Sequence, residues 1–130
     1  MSVRLRPLAR RLVLLGPRSL ATSGWALIQL RRVRGALVAG SPASVVVSLP
    51  PRVLPGRTRR AAVVALRLGR ATCLQRALIL QTWDRAHGRD RAVVIGVTPP
   101  SHGFRAHAWL DGDDGCDGGP GFHELLRIEA

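Results

Sequence analysis

The chain has no lysine. All 20 of its basic residues are arginine, so every fixed cation is a guanidinium. It has only two cysteines, 43 positions apart, which is no framework for a disulfide-stapled secreted domain. It lacks any apolar run near the ~20 residues that a membrane span needs. Acid is absent from the whole first part: the first acidic side chain is Asp84. What is present suits a folded protein. A 130-residue chain with 46% hydrophobic residues is long enough for one compact domain, and its composition argues against wholesale disorder.

The formal net charge of +12 is uneven. Residues 1–83 carry +15 and residues 84–130 carry −3. Such a split marks a basic docking face or an interaction tail, or else a solvated arginine-rich surface with no specific partner. Nucleic acid is not an expected partner, because no zinc finger, recognition helix or RNA-binding signature accompanies the charge. The N-terminus has too short an apolar centre for a signal peptide. Residues 7–15 read instead as a short helix stopped by Gly16-Pro17, with an amphipathic character suited to peripheral contact with a membrane or a partner.

Residues 19–38 read as an amphipathic helix with an apolar stripe at Leu20, Leu27, Leu30, Val33 and Leu37. Val45–Val47 reads as a short strand or an extended connector, and the prolines that follow as a linker. Thr58 is placed to cap a helix running to Leu68, with Gly69 just past its end. Thr72 followed by Gln75 is a capping box, which starts a helix at Cys73 that ends near Gly88. Residues 91–97 form a β-branched, buried strand; residues 104–111 alternate; residues 122–128 form a last strand. His87, beside Gly88, reads as a helix C-terminal cap, and Trp25 and Trp83 as helix packing. The expected fold class is α+β: a helix carrying Cys73 on a small antiparallel sheet of about three strands, after a helical N-terminal segment.

Chemistry gathers in the second half. Cys73 would stand at the first position of its helix, where free amide protons and the dipole favour a thiolate, the competent nucleophile. His107 lies mid-strand on the side opposite Ala106 and Ala108, where it would face a helix packed over the sheet and serve as base. A carboxylate on a neighbouring strand would complete a nucleophile–base–orienter set.

The wording of three segments carries a resemblance. Residues 71–80 (ATCLQRALIL), 93–97 (VVIGV) and 104–110 (FRAHAWL) resemble the B2 proteins of lasso-peptide biosynthesis, transglutaminase-like cysteine peptidases. The resemblance spans about residues 57–130. It implies a single transglutaminase-like domain over 1–130, with 1–50 as a helical arginine-rich part and 57–130 as a catalytic core of transglutaminase or papain type. It implies removal of a leader from a precursor peptide with the help of a B1 leader-recognition protein. An ATP-dependent lasso cyclase acts on the product, and a cytoplasmic location and no cofactor are expected. Carried over by position, Cys73 is the nucleophile and His107 the base.

The third residue departs from the family, which usually has an aspartate about twelve residues after the histidine. Gly119 stands there, and Asp117 is the nearest candidate; Asp111, Asp113 and Asp114 compete. A hairpin turning at Asp111-Gly112 would bring Asp117 beside Ala106. Trp109 shares the His107 face and either walls the substrate groove or simply packs. Arg76, one turn past Cys73, either supports the thiolate, binds a substrate carboxyl or is solvated. The Asp111–Gly119 stretch fails as an EF-hand loop, since Cys116 and Phe122 fall where glycine and glutamate are needed. Zinc is not expected, because neither CxxC nor HxxxH occurs. Two rivals remain: an acyltransferase on the same triad, and a catalytically silent binding module that uses the arginine-rich half.

Overall fold

The computed structural model describes residues 16–99, 101, 103, 105–112 and 122–130. Three α-helices, α1 (Pro17–Ala39), α2 (Arg59–Leu68) and α3 (Cys73–Ala86), precede three strands, β1 (Val93–Val97), β2 (Ala106–Leu110) and β3 (His123–Ile128). The result is the expected α+β arrangement. The helix read over 7–15 lies outside the described residues. No helix among the described residues is long and apolar enough to cross a membrane.

Helix α1 is where the apolar pattern misleads. Leu30 and Val33 are buried and Leu37 packs against the core, but Leu20 and Leu27 are 50% and 44% exposed. The first turns bury Ser19, Thr22, Ser23 and Ala26 instead. These small residues let α2 come close, and their hydroxyls are satisfied locally. Thr22 Oγ1 donates to the Arg18 carbonyl at 2.9 Å and Ser23 Oγ to the Ser19 carbonyl at 2.9 Å. The Thr22 and Thr58 hydroxyls lie 2.8 Å apart across the α1–α2 contact. Thr58 therefore does not cap α2 with its side chain: its hydroxyl donates to the Pro55 carbonyl at 2.8 Å.

At the exit of α2 the left-handed residue is Arg70 (φ 57°), not Gly69 (φ −75°). Gly69 is there for space: a Cβ would sit 2.8 Å from Leu30 Cδ2 on α1. Val45–Val47 is an extended connector and pairs with no strand. Val47 enters the core, and the Ser48 N–H donates to Gln29 Oε1 at 3.1 Å.

Trp25 of α1 and Trp83 of α3 pack with ring centroids 5.4 Å apart and tilted by 51°. Leu66, Ile79, Val93 and Leu110 close the same cluster. Full burial of one such aliphatic side chain contributes about 1.5–3 kcal/mol. The first helix is thus part of the core, because α1 supplies one wall of it.

Strand β1 is the centre of the sheet, in the order β2-β1-β3, with both neighbours antiparallel. Its run of β-branched residues suits burial on both faces, and Val93 and Val94 are both buried. Pairing both neighbours with β1 overturns the β2–β3 hairpin, since those strands are not adjacent. A bulge between Ile95 and Gly96 leaves Leu125 of β3 without an opposite number. Val93 and Leu110 share the face under the helices, whereas Val94, Gly96, His107 and Trp109 share the other.

One buried ion pair ties these layers together. Asp84 of α3 is 1% exposed. Arg59 of α2 donates to it twice, at 2.7 and 3.1 Å, and Arg91, just before β1, approaches to 3.7 Å. Helix α3 ends at Ala86, and Gly88 (φ 82°) turns the chain just past it. The preceding His87 sets Nδ1 2.7 Å from the Trp83 carbonyl and Nε2 2.9 Å from that of Leu54.

Candidate active site

Thr72 determines where Cys73 sits. Its hydroxyl accepts from the Gln75 N–H at 3.3 Å, and its own N–H donates to Gln75 Oε1 at 3.0 Å. These reciprocal bonds complete the capping box and hold Thr72 extended, so the helix begins at Cys73. The thiol therefore stands in the first turn, at the positive end of the dipole, where backbone N–H groups have no helical partner. It is free and half-buried.

The sulfur is also held from the sheet side. Strand β2 is an edge strand, so alternate N–H groups point away from β1. That of Ala108 donates to Cys73 Sγ at 3.4 Å. The approach depends on alanine, because a larger side chain under the first turn of α3 would push the helix off. Cys73 thus lies at the rim of the sheet, in reach of groups on either face.

His107 and Cys73 line one pocket with Arg76, Ala77, Leu80, Ala108 and Leu110. Its volume of about 20 Å³ holds little more than one water. The route by which His107 comes there differs from expectation. Ala108 and Leu110, not His107, face the helices. The His107 ring stacks on Trp109 on the far face, with centroids 5.9 Å apart and planes at 22°, and contacts Phe122 at 5.7 Å. Helix α3 packs through Ala77 and Leu80, which favour the apolar side of β2 and leave the histidine to the other. The rim position of Cys73 is what brings the two residues to a common pocket. Among the described residues no hydrogen bond joins them.

Of the other candidates, Arg76 lies in the pocket wall. Trp109 lies outside that lining and covers Gly96, where a Cβ would come within 2.7 Å of Trp109 Cη2. Asp111 accepts from Arg127 Nη1 at 2.8 Å. Asp113, Asp114, Cys116 and Asp117 lie outside the described residues. Ala108 and Gly96 were missed by sequence reasoning. Their signal was the small residues at 96, 106 and 108, spaced so that a helix can close on one face and a tryptophan on the other.

In comparison with known families the chain matches the transglutaminase-like superfamily over residues 4–126. It starts within the arginine-rich first half, well before residue 57, as the packing of α1 into the core would require. No curated protein and no solved structure matches the chain significantly.

Proposed function

The chain belongs to the transglutaminase-like superfamily, and on that premise we propose that it is a cysteine peptidase that removes the leader from a lasso-peptide precursor. The superfamily is typically built on cysteine chemistry. One observation carries the reading: a cysteine at the first position of a capped helix, docked on the rim of an edge strand, shares a pocket with a histidine of that strand.

In this reading the Cys73 thiolate attacks the carbonyl carbon of the leader–core bond. The backbone N–H of Cys73 stabilises the developing oxyanion. The His107 imidazolium gives its proton to the leaving amine of the core as the C–N bond breaks. His107 then takes a proton from water, which attacks the thioester; the leader acid leaves and Cys73 is regenerated. Asp117 orients His107. Asp111 is the weaker choice because Arg127 already engages it. The Trp109 ring supports the imidazole from beneath, and Arg76 meets the substrate beside the thiol. The small pocket suits a small side chain next to the scissile bond. The B1 protein presents the leader, and the lasso cyclase receives the freed core amine. Assignment to leader removal in particular rests on the wording of the three motifs.

The test is mass spectrometry of a lasso precursor incubated with this protein and the B1 protein of that precursor. Cleavage at the leader–core bond, abolished by Cys73→Ala and by His107→Ala, is expected. Cleavage that survives Cys73→Ala overturns the reading. An added amine that ends up joined to the leader in place of the free acid would move it to acyl transfer on the same residues.

A further inference from the structure

Helix α3 has a second cleft at its other end. It opens between the 3-10 turn Gly56–Thr58 and the C-terminal turn of α3, with a volume of about 340 Å³. The helix holds 14 residues, so the cleft lies roughly 20 Å from Cys73, apart from the small pocket there.

Three guanidinium groups line it, from Arg57, Arg59 and Arg89. Its one carboxylate, Asp84, is already taken by the paired bonds from Arg59 at 2.7 and 3.1 Å. The guanidinium groups of Arg57 and Arg89 have no hydrogen-bond or ion-pair partner among the described residues; the Arg89 backbone N–H donates to the Asp84 carbonyl at 2.8 Å. His87, also in the lining, faces carbonyl oxygens with both ring nitrogens. The concave wall thus gathers guanidinium charge, and among the described residues that line it the one carboxylate is already engaged by Arg59; like charges in a cleft repel.

We propose that this cleft binds an oxyanion of carboxylate or phosphate type, with Arg57 and Arg89 as the ligating groups and the Arg59–Asp84 pair holding the wall. Guanidinium forks match the oxygen pairs of both anions. The cleft is larger than a phosphate and leaves room for an acidic side chain together with the peptide that bears it. If the peptidase reading holds, 20 Å corresponds to about six extended residues. The cleft would then select substrates with an acidic residue at about that distance from the scissile bond. The anion site itself does not depend on that reading.

Calorimetric titration of the full chain carrying Cys73→Ala tests it with inorganic phosphate and with a blocked glutamate-containing hexapeptide, its glutamine counterpart serving as blank. Saturable one-to-one binding of at least one probe is expected. Arg57→Ala and Arg89→Ala should each weaken it about tenfold. The pair Arg18→Ala with Arg31→Ala removes twice the charge of either single change, from exposed positions on α1, and should leave it unchanged. Binding of phosphate alone identifies a free anion, and binding of the glutamate peptide identifies a side-chain carboxylate. Absence of saturable binding by both probes overturns the proposal, as does an equal loss in the α1 variant. All four arginines are exposed, so circular dichroism should show the fold retained. No cleavage is needed, so failure of the peptidase assay leaves this result standing.

Discussion

Asp84→Asn is the most direct test of how the helices are fastened to the sheet. The substitution keeps the shape of a side chain that is 2% exposed but removes the charge that Arg59 and Arg91 share. Breaking a buried pair from one side usually costs 3–5 kcal/mol, because a charge is left without its partner. Here the two arginine side chains are 21% and 23% exposed, so their heads regain part of their hydration. That discount lowers the expected loss to about 2–3 kcal/mol. For a chain of this length it is a fall in Tm of roughly 6–15 °C. Urea unfolding followed by far-ultraviolet circular dichroism would measure it, with an unchanged slope against denaturant showing that only stability moved. Arg59→Met, Asp84→Leu and their combination form a cycle, and the double change should cost less than these two single changes added together. A loss under about 0.5 kcal/mol for Asp84→Asn, or strict additivity in the cycle, would refute the view that this pair holds α2 to α3.

Two smaller changes test how the site is positioned. Thr72→Ala removes the capping hydroxyl, should cost about 1 kcal/mol, and should slow alkylation of Cys73 by iodoacetamide in a Cys116→Ala background. An unchanged rate would mean that the box does not place the thiol. Gly96→Ala puts a methyl 2.7 Å from Trp109 Cη2 and 3.2 Å from the His123 carbonyl. It should displace the Trp109 ring from His107, cost about 1–3 kcal/mol and red-shift the tryptophan emission; an unshifted spectrum would count against the close approach.

What could be read from the residues was local. The capping box needs only Thr72 and Gln75, three positions apart, so the start of α3 and the place of Cys73 were legible. So were β1, from its β-branched run, and the α+β class. The face of α1 was not, because buried serines and threonines bond to carbonyls one turn back and need no apolar signal. Sheet order was hidden for a different reason. Which strand β3 pairs with depends on the connection between 111 and 122 and on the two-sided burial of β1, neither of which a hairpin rule contains. His107 does line a pocket with Cys73, but it reaches it from the face of the sheet opposite to the one expected from strand alternation, because Ala108 and Leu110 take the helix side. The cleft at the far end of α3 depends on Arg57 and Arg89, 32 positions apart in sequence, meeting across a turn.

The two rims of the sheet face different risks in a crowded solution. On the β2 side, Cys73 occupies the outward amide of Ala108 and the start of α3 stands guard. Among the described residues strand β3 has no such cover: Leu125 and Leu126 are 69% and 40% exposed at the outer margin of the sheet. Charge takes the place of a lid. Arg127 binds Glu124 at 2.9 Å and reaches across to Asp111 at 2.8 Å, and these carboxylates, Glu124 first, hold its guanidinium proton well above the ordinary range. Charged side chains along an exposed sheet margin resist edge-to-edge pairing, because pairing would take them out of water. Shelf life at high concentration should therefore hang on this trio, and stripping its charges would turn the open margin of the sheet into a seed for fibrous precipitate.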